Sequence, residues 1–125
     1  MIAYSTIGTN DMERATGFYD ALFAEMGGKK LFDMGGRFVS YGVQQGQPMF
    51  ALAKPYDGNE AAPGNGNMVA IAAKDADQVK ALYDKARSLG ATCEGEPGPR
   101  GDGAFTCGYV RDLDGNKLNF FCMGS

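Results

Sequence analysis

Histidine is absent from this 125-residue chain, and so is tryptophan. Without imidazole the sequence excludes Ser-His-Asp and Cys-His nucleophile pairs, two-histidine facial triads and the ordinary catalytic zinc site. No run of lysine or arginine is long enough to form a phosphate-binding stripe, and 12 basic against 15 acidic residues leave a net charge of −3, so no nucleic-acid partner is expected. No segment approaches the roughly 18 apolar residues that cross a bilayer. Residues 1–9 lack the basic and long apolar regions of a secretory leader, so a cytoplasmic location without membrane attachment is the expectation. Cysteine is scarce: Cys93, Cys107 and Cys122 are odd in number and spaced like neither a disulfide framework nor a zinc ribbon, which predicts reduced, mostly buried thiols.

What is present suffices for one domain, with 44% hydrophobic and 22% charged residues, inside the range of chains that build a core. Asn10 followed by Glu13 predicts a capping box, after which Met12, Ala15, Phe18, Tyr19, Leu22, Phe23 and Met26 recur at helical spacing until Gly27-Gly28. Residues 2–9 before it read as a strand, and residues 30–34, 37–43 and 48–54 after it read as three more. A polar connection, residues 55–66, follows. The order then restarts, with a strand over 67–73 and a helix capped by Asp75 with Gln78, bearing Val79, Leu82, Tyr83, Ala86 and Leu89 and ended by Gly90. Residues 91–94 suggest an edge strand and 96–103 a loop. Residues 104–111 and 117–123 form a closing hairpin around Asp112-Leu113-Asp114-Gly115-Asn116, whose Asp-Gly step is a hairpin signal. An EF-hand is excluded there, because Lys117 and Met123 stand where Gly and Glu are required. The terminal Gly124-Ser125 reads as a frayed end or a cloning remnant.

Sliding the chain on itself by 64 residues superposes Ile7 on Ile71, Asp11 on Asp75, Tyr19 on Tyr83 and Asp20 on Asp84. These coincidences point to a duplication: module one over 1–54, a linker over 55–66 and module two over 67–123. The fold class is therefore α+β, two tandem βαβββ modules.

The opening Ile7-Gly8-Thr9-Asn10-Asp11-Met12-Glu13-Arg14-Ala15 with Phe18-Tyr19, and the closing Arg111-Asp112-Leu113-Asp114-Gly115-Asn116-Lys117-Leu118, resemble the glyoxalase / bleomycin-resistance / extradiol dioxygenase superfamily, the vicinal oxygen chelate fold. Leu113 stands where that family usually has proline. The resemblance implies curved sheets enclosing a cleft, a homodimer, and a divalent metal held by residues of the first strand of each module and of the last strands. Those positions fall on Tyr4, Met68 and Asn119, and the last strand of module one, Met49 to Ala53, adds no carboxylate or amide. Phenol, thioether and carboxamide do not make a hard-cation site, since only a phenolate is anionic and phenols ionise near pH ~10. The expectation is a member of this superfamily without cofactor or metal, binding a small, partly apolar molecule as bleomycin-resistance proteins do.

Strand alternation extends the candidate list, because residues two apart share a face. With Tyr4 come Ile2 and Thr6, with Met68 come Ala70 and Ala72, and with Asn119 come Lys117, Phe121 and Met123; the opposite faces suit packing under helices. Candidate ligand-binding residues are thus Tyr4, Thr6, Met68, Asn119 and Phe121, joined by Lys54 at the module junction and by Arg100 as a carboxylate clamp on its loop. The facing of Tyr109 and Arg111 depends on a hairpin register left open, as does a cross-strand pairing of Cys107 with Cys122. Gly64-x-Gly66 precedes a strand and is no phosphate loop. Two rival readings remain: a lactoylglutathione-lyase-like, isomerase or dioxygenase enzyme using Tyr4 as acid or base, or a metal recruited by Asp57, Glu94 or Glu96; and an interaction module without ligand.

Overall fold

The first helix, α1 (Met12–Ala24), starts one residue later than the predicted capping box requires. Asp11, not Asn10, is its N-cap, and the Asp11 carboxylate accepts from the Arg14 N–H at 3.0 Å. Asn10 is used elsewhere: its side-chain amide donates to the Ala61 carbonyl at 3.0 Å while its carbonyl oxygen accepts from the Ala61 N–H at 2.6 Å. A carboxamide offers one donor and one acceptor in the geometry of a peptide group, so Asn10 holds the connecting segment as a neighbouring strand would. Helix α1 ends before Gly27, whose φ of 76° reverses the chain, and the Gly28 N–H returns to the Phe23 carbonyl at 2.8 Å.

The computed structural model describes residues 1–124, and Ser125 lies outside the described residues. Gly124 is tied rather than frayed, its N–H donating to the Ala104 carbonyl at 2.8 Å and its carbonyl accepting from the Thr106 hydroxyl at 2.9 Å. The chain divides into two compact units, Met1–Pro63 and Gly64 onward.

In the first unit, β1 (Tyr4–Gly8), β2 (Lys29–Asp33), β3 (Phe38–Gly42) and β4 (Met49–Ala53) form a mixed sheet of order β1-β4-β3-β2. The β1/β4 pair is parallel and the others are antiparallel. Tyr19 and Phe23 of α1 stack against Tyr41 and Phe50 with ring centroids 4.8 to 6.3 Å apart, joined by Leu22, Val39 and Leu52, all buried. Each such side chain stabilises by about 1.5–3 kcal/mol through burial, and the edge-on or tilted ring contacts add to it.

The second unit repeats the plan with β5 (Val69–Ala72), α2 (Ala76–Ser88), β6 (Thr92–Arg100), β7 (Phe105–Arg111) and β8 (Lys117–Met123), in sheet order β5-β8-β7-β6. Asp75 caps α2 as expected, accepting from the Gln78 N–H at 2.8 Å, and Gln78 reaches back to the Lys74 N–H at 2.9 Å. Val79, Leu82 and Ala86 pack with Val110, Leu118 and Phe120 in a buried layer. The residues expected to form a loop, 96–103, are largely strand: β6 continues to Arg100 as an edge strand with register shifts at Gly95 and again before Gly98. Gly95, Pro97, Gly98 and Pro99 carry no strand propensity, yet an edge tolerates proline and bulges absorb the missing bonds.

Candidate ligand-binding site

The hairpin β7–β8 decides which side chains share a face in the second unit. The Asp112 N–H donates to the Asn116 carbonyl at 2.9 Å, and the buried Asp112 carboxylate accepts from the N–H groups of Asp114 and Asn116, each at 2.9 Å, and from the Asn116 side chain at 3.2 Å. That turn pairs Arg111 with Lys117, Tyr109 with Asn119, Cys107 with Phe121 and Phe105 with Met123. Paired residues of adjacent strands project to the same side, so Tyr109 and Arg111 share the face of Lys117, Asn119 and Phe121. Ala70 flanks Asn119 on the other side, in β5. The opposite face, with Leu118, Phe120 and Gly108, lies under α2; a Cβ at Gly108 would meet Tyr83 at 3.5 Å. Cys107 and Cys122 therefore point to opposite faces and are not cross-strand neighbours. Both are buried and free, whereas Cys93 is free and exposed, against the expectation for that residue.

On the helix-distal face the site is built around Asn119. The residue is only 5% exposed, and its side-chain oxygen is buried without a hydrogen-bond partner. A buried carbonyl oxygen left unpaired costs about 1–3 kcal/mol. Beside it the Tyr109 ring lies over Gly95, where a Cβ would approach within 2.9 Å of the ring, so any side chain there would displace it. The Tyr109 hydroxyl is held above the ordinary phenol range, first by the Cys107 thiol on the same face and then by burial, while the nearby Arg100 charge acts in the opposite sense. Two cations face this ring: Lys117 Nζ at 5.3 Å and the Arg100 guanidinium carbon at 5.9 Å from its centroid. Phe105 and Phe121, 5.6 Å apart between centroids, continue the face as an apolar wall.

Arg100, expected on a mobile loop, is instead the last residue of β6. It is braced by the carbonyls of Gly98 at 2.9 Å, Pro99 at 3.3 Å and Glu96 at 2.8 Å. Met68 precedes β5 and is 44% exposed. Tyr4 and Thr6 lie on the helix-distal face of the first sheet, paired with Met49 and Ala51; Tyr4 is 50% exposed and meets Phe38 edge-on at 5.5 Å. Lys54 follows β4 and is exposed, its N–H bonded to the Arg37 carbonyl at 2.9 Å. Asn119, Phe121 and Arg100 thus belong to one face of the second sheet, while Tyr4, Thr6 and Lys54 belong to the first unit. Phe105, Tyr109 and Lys117 are the residues of this face that the candidate ligand-binding set left out. Alternation from Asn119 reached Lys117, and only the register at Asp112 reaches Tyr109.

The family profile of the Glyoxalase/Bleomycin resistance protein/Dioxygenase superfamily matches residues 1–120. The chain belongs to that superfamily. A glyoxalase/bleomycin resistance protein from Albidiferax ferrireducens is similar at 30% identity over 97% of each chain, with a TM-score of 0.86. A glyoxalase-related enzyme from Fulvimarina pelagi shares the fold at 21% identity, covering 100% of this chain and 95% of its own, TM-score 0.74. A lactoylglutathione lyase from Agrobacterium tumefaciens does so at 18% identity, covering 97% and 92%, TM-score 0.70. No curated protein matches this chain.

A divalent metal of the kind this superfamily implies does not fit the residues at its expected positions. Tyr4, Met68 and Asn119 supply a phenol, a thioether and a carboxamide, and among the described residues no group of three His, Cys, Asp or Glu is placed to hold an ion. Of the three carboxylates weighed as substitutes, two have other partners: Glu94 is paired with Arg111 at 2.7 Å, and Asp57 accepts from the Asn59 N–H at 2.9 Å. No helix is long and apolar enough to cross a membrane among the described residues.

Proposed function

We propose that this superfamily member is a metal-independent small-molecule-binding protein, a homodimer, whose ligand lies on the helix-distal face of the second sheet around Asn119. One observation carries this reading: a carboxamide oxygen that is buried yet unpartnered, on a face that also carries a phenol, two cations and two phenyl rings. Native proteins rarely leave such an oxygen unmet, and a ligand hydroxyl, amine or amide N–H would meet it. A mainly apolar surface with a few convergent polar groups is the usual character of a small-molecule site.

Native mass spectrometry of gently purified protein, prepared without chelators, tests the reading. The expected spectrum shows two subunits and an organic adduct that Asn119→Leu abolishes, with no divalent ion. One tightly held divalent ion per subunit, together with turnover of a glyoxalase-type substrate, would replace this reading with the enzymatic one.

A further inference from the structure

Charge on the helix-distal face of the second sheet is unevenly balanced. Arg111 is neutralised by Glu94 at 2.7 Å. Lys117 and Arg100, both within 6 Å of the Tyr109 ring centroid, have no carboxylate partner among the described residues. Arg100 hydrogen-bonds only to backbone carbonyls, through three contacts that leave two of its five N–H donors uncommitted. Lys117 on β8 and Arg100 on β6 flank the partly buried Tyr109 ring of β7, and an anion beside that ring would supply the counter-charge both lack. Asn119, the register partner of Tyr109 on the next strand, carries the unpartnered acceptor oxygen, which a group that donates would satisfy.

Resting on the ligand-binding reading above, we propose that the site takes a small organic acid: a carboxylate held by Arg100 and Lys117, with a hydroxyl or amine on the adjacent carbon donating to Asn119 and an apolar substituent against Phe105 and Phe121. The carboxylate supplies the missing counter-charge. The adjacent donor satisfies the orphaned oxygen, and the apolar group covers the ring wall.

Calorimetric titration with three matched probes separates these parts: mandelate carries charge, donor and ring; phenylacetate lacks the donor; 1-phenyl-1,2-ethanediol lacks the charge. Mandelate is expected to bind at least about tenfold more tightly than either of the others, with an affinity that falls as salt is raised. Lys117→Met is expected to weaken mandelate by about tenfold while leaving the diol unchanged, and Arg100→Gln to do the same where its thermal melt shows it folded. Equal binding of mandelate and the diol overturns the anion assignment, and equal binding of mandelate and phenylacetate overturns the donor assignment. If no probe binds, the organic-acid inference falls. The broader reading falls with it only if the purified protein also carries no adduct in the native mass spectrum.

Discussion

Replacing Asn119 with leucine keeps the branching of the side chain and removes its polar atoms. The native residue is 95% buried and its carbonyl oxygen lacks a partner, a condition worth about 1–3 kcal/mol of destabilisation. Leucine recovers that cost and buries more apolar surface, against some overpacking beside Tyr109, for a net gain of about 1–2 kcal/mol in the absence of ligand. With an unfolding entropy near 2.1 cal/mol/K per residue, a chain of 125 residues converts that gain into a rise in Tm of about 4–8 °C. Differential scanning calorimetry of ligand-free protein, alongside the calorimetric titration, measures both sides of the exchange: the variant should melt higher and bind less. A variant that melts lower by several degrees would refute the reasoning, because it would mean that the carboxamide already has its hydrogen bond and holds the sheet together.

Truncating Phe23 to alanine opens a cavity among Tyr19, Tyr41 and Phe50 and should cost about 3–5 kcal/mol in urea unfolding; a loss below about 1 kcal/mol would show that this cluster is not the core of its unit. Asn10→Ala removes both bonds to Ala61 and should cost about 1 kcal/mol, with faster limited proteolysis between residues 55 and 63 as its readout; unchanged cleavage would mean that the clasp is idle. The Tyr41 phenol, raised above the ordinary range first by burial and then by its 2.7 Å bond to Asp20, keeps its proton in the folded state at pH values where the unfolded chain has lost it. Its contribution is therefore complete below pH ~10 and declines above it by about 1.4 kcal/mol per pH unit. Tyr41→Phe should remove one proton from that alkaline slope, and an identical slope in the variant would contradict the assignment.

The helices, the duplicated order and the strands that alternate cleanly were legible because each depends on local spacing. The 64-residue offset had already matched Asp11 to Asp75, so the repeat held the correct cap, while the local Asn-x-x-Glu pattern pointed one residue too early. Asn10 could not be assigned because its partner, Ala61, is 51 residues away. The second half of β6 was hidden by glycine and proline, which take their strand form only from the β7 edge beside them. The site was half legible: alternation reached Lys117, Asn119 and Phe121, but Tyr109 is joined to them only through a five-residue turn whose register depends on what the Asp112 carboxylate accepts.

The row across the second sheet, Ala70, Asn119 and Tyr109, has a counterpart in the first, Thr6, Ala51 and Ser40, at the same lattice points. Ser40 is fully buried there, and its hydroxyl is likewise without a partner. The duplicated units thus carry the same grid with different chemistry written on it. Because register is fixed at the turns and stability on the helix-covered side, a side chain on the distal side can be exchanged without moving its neighbours. Such an architecture separates shape from specificity: either sheet can take on a different recognition surface without a change of fold.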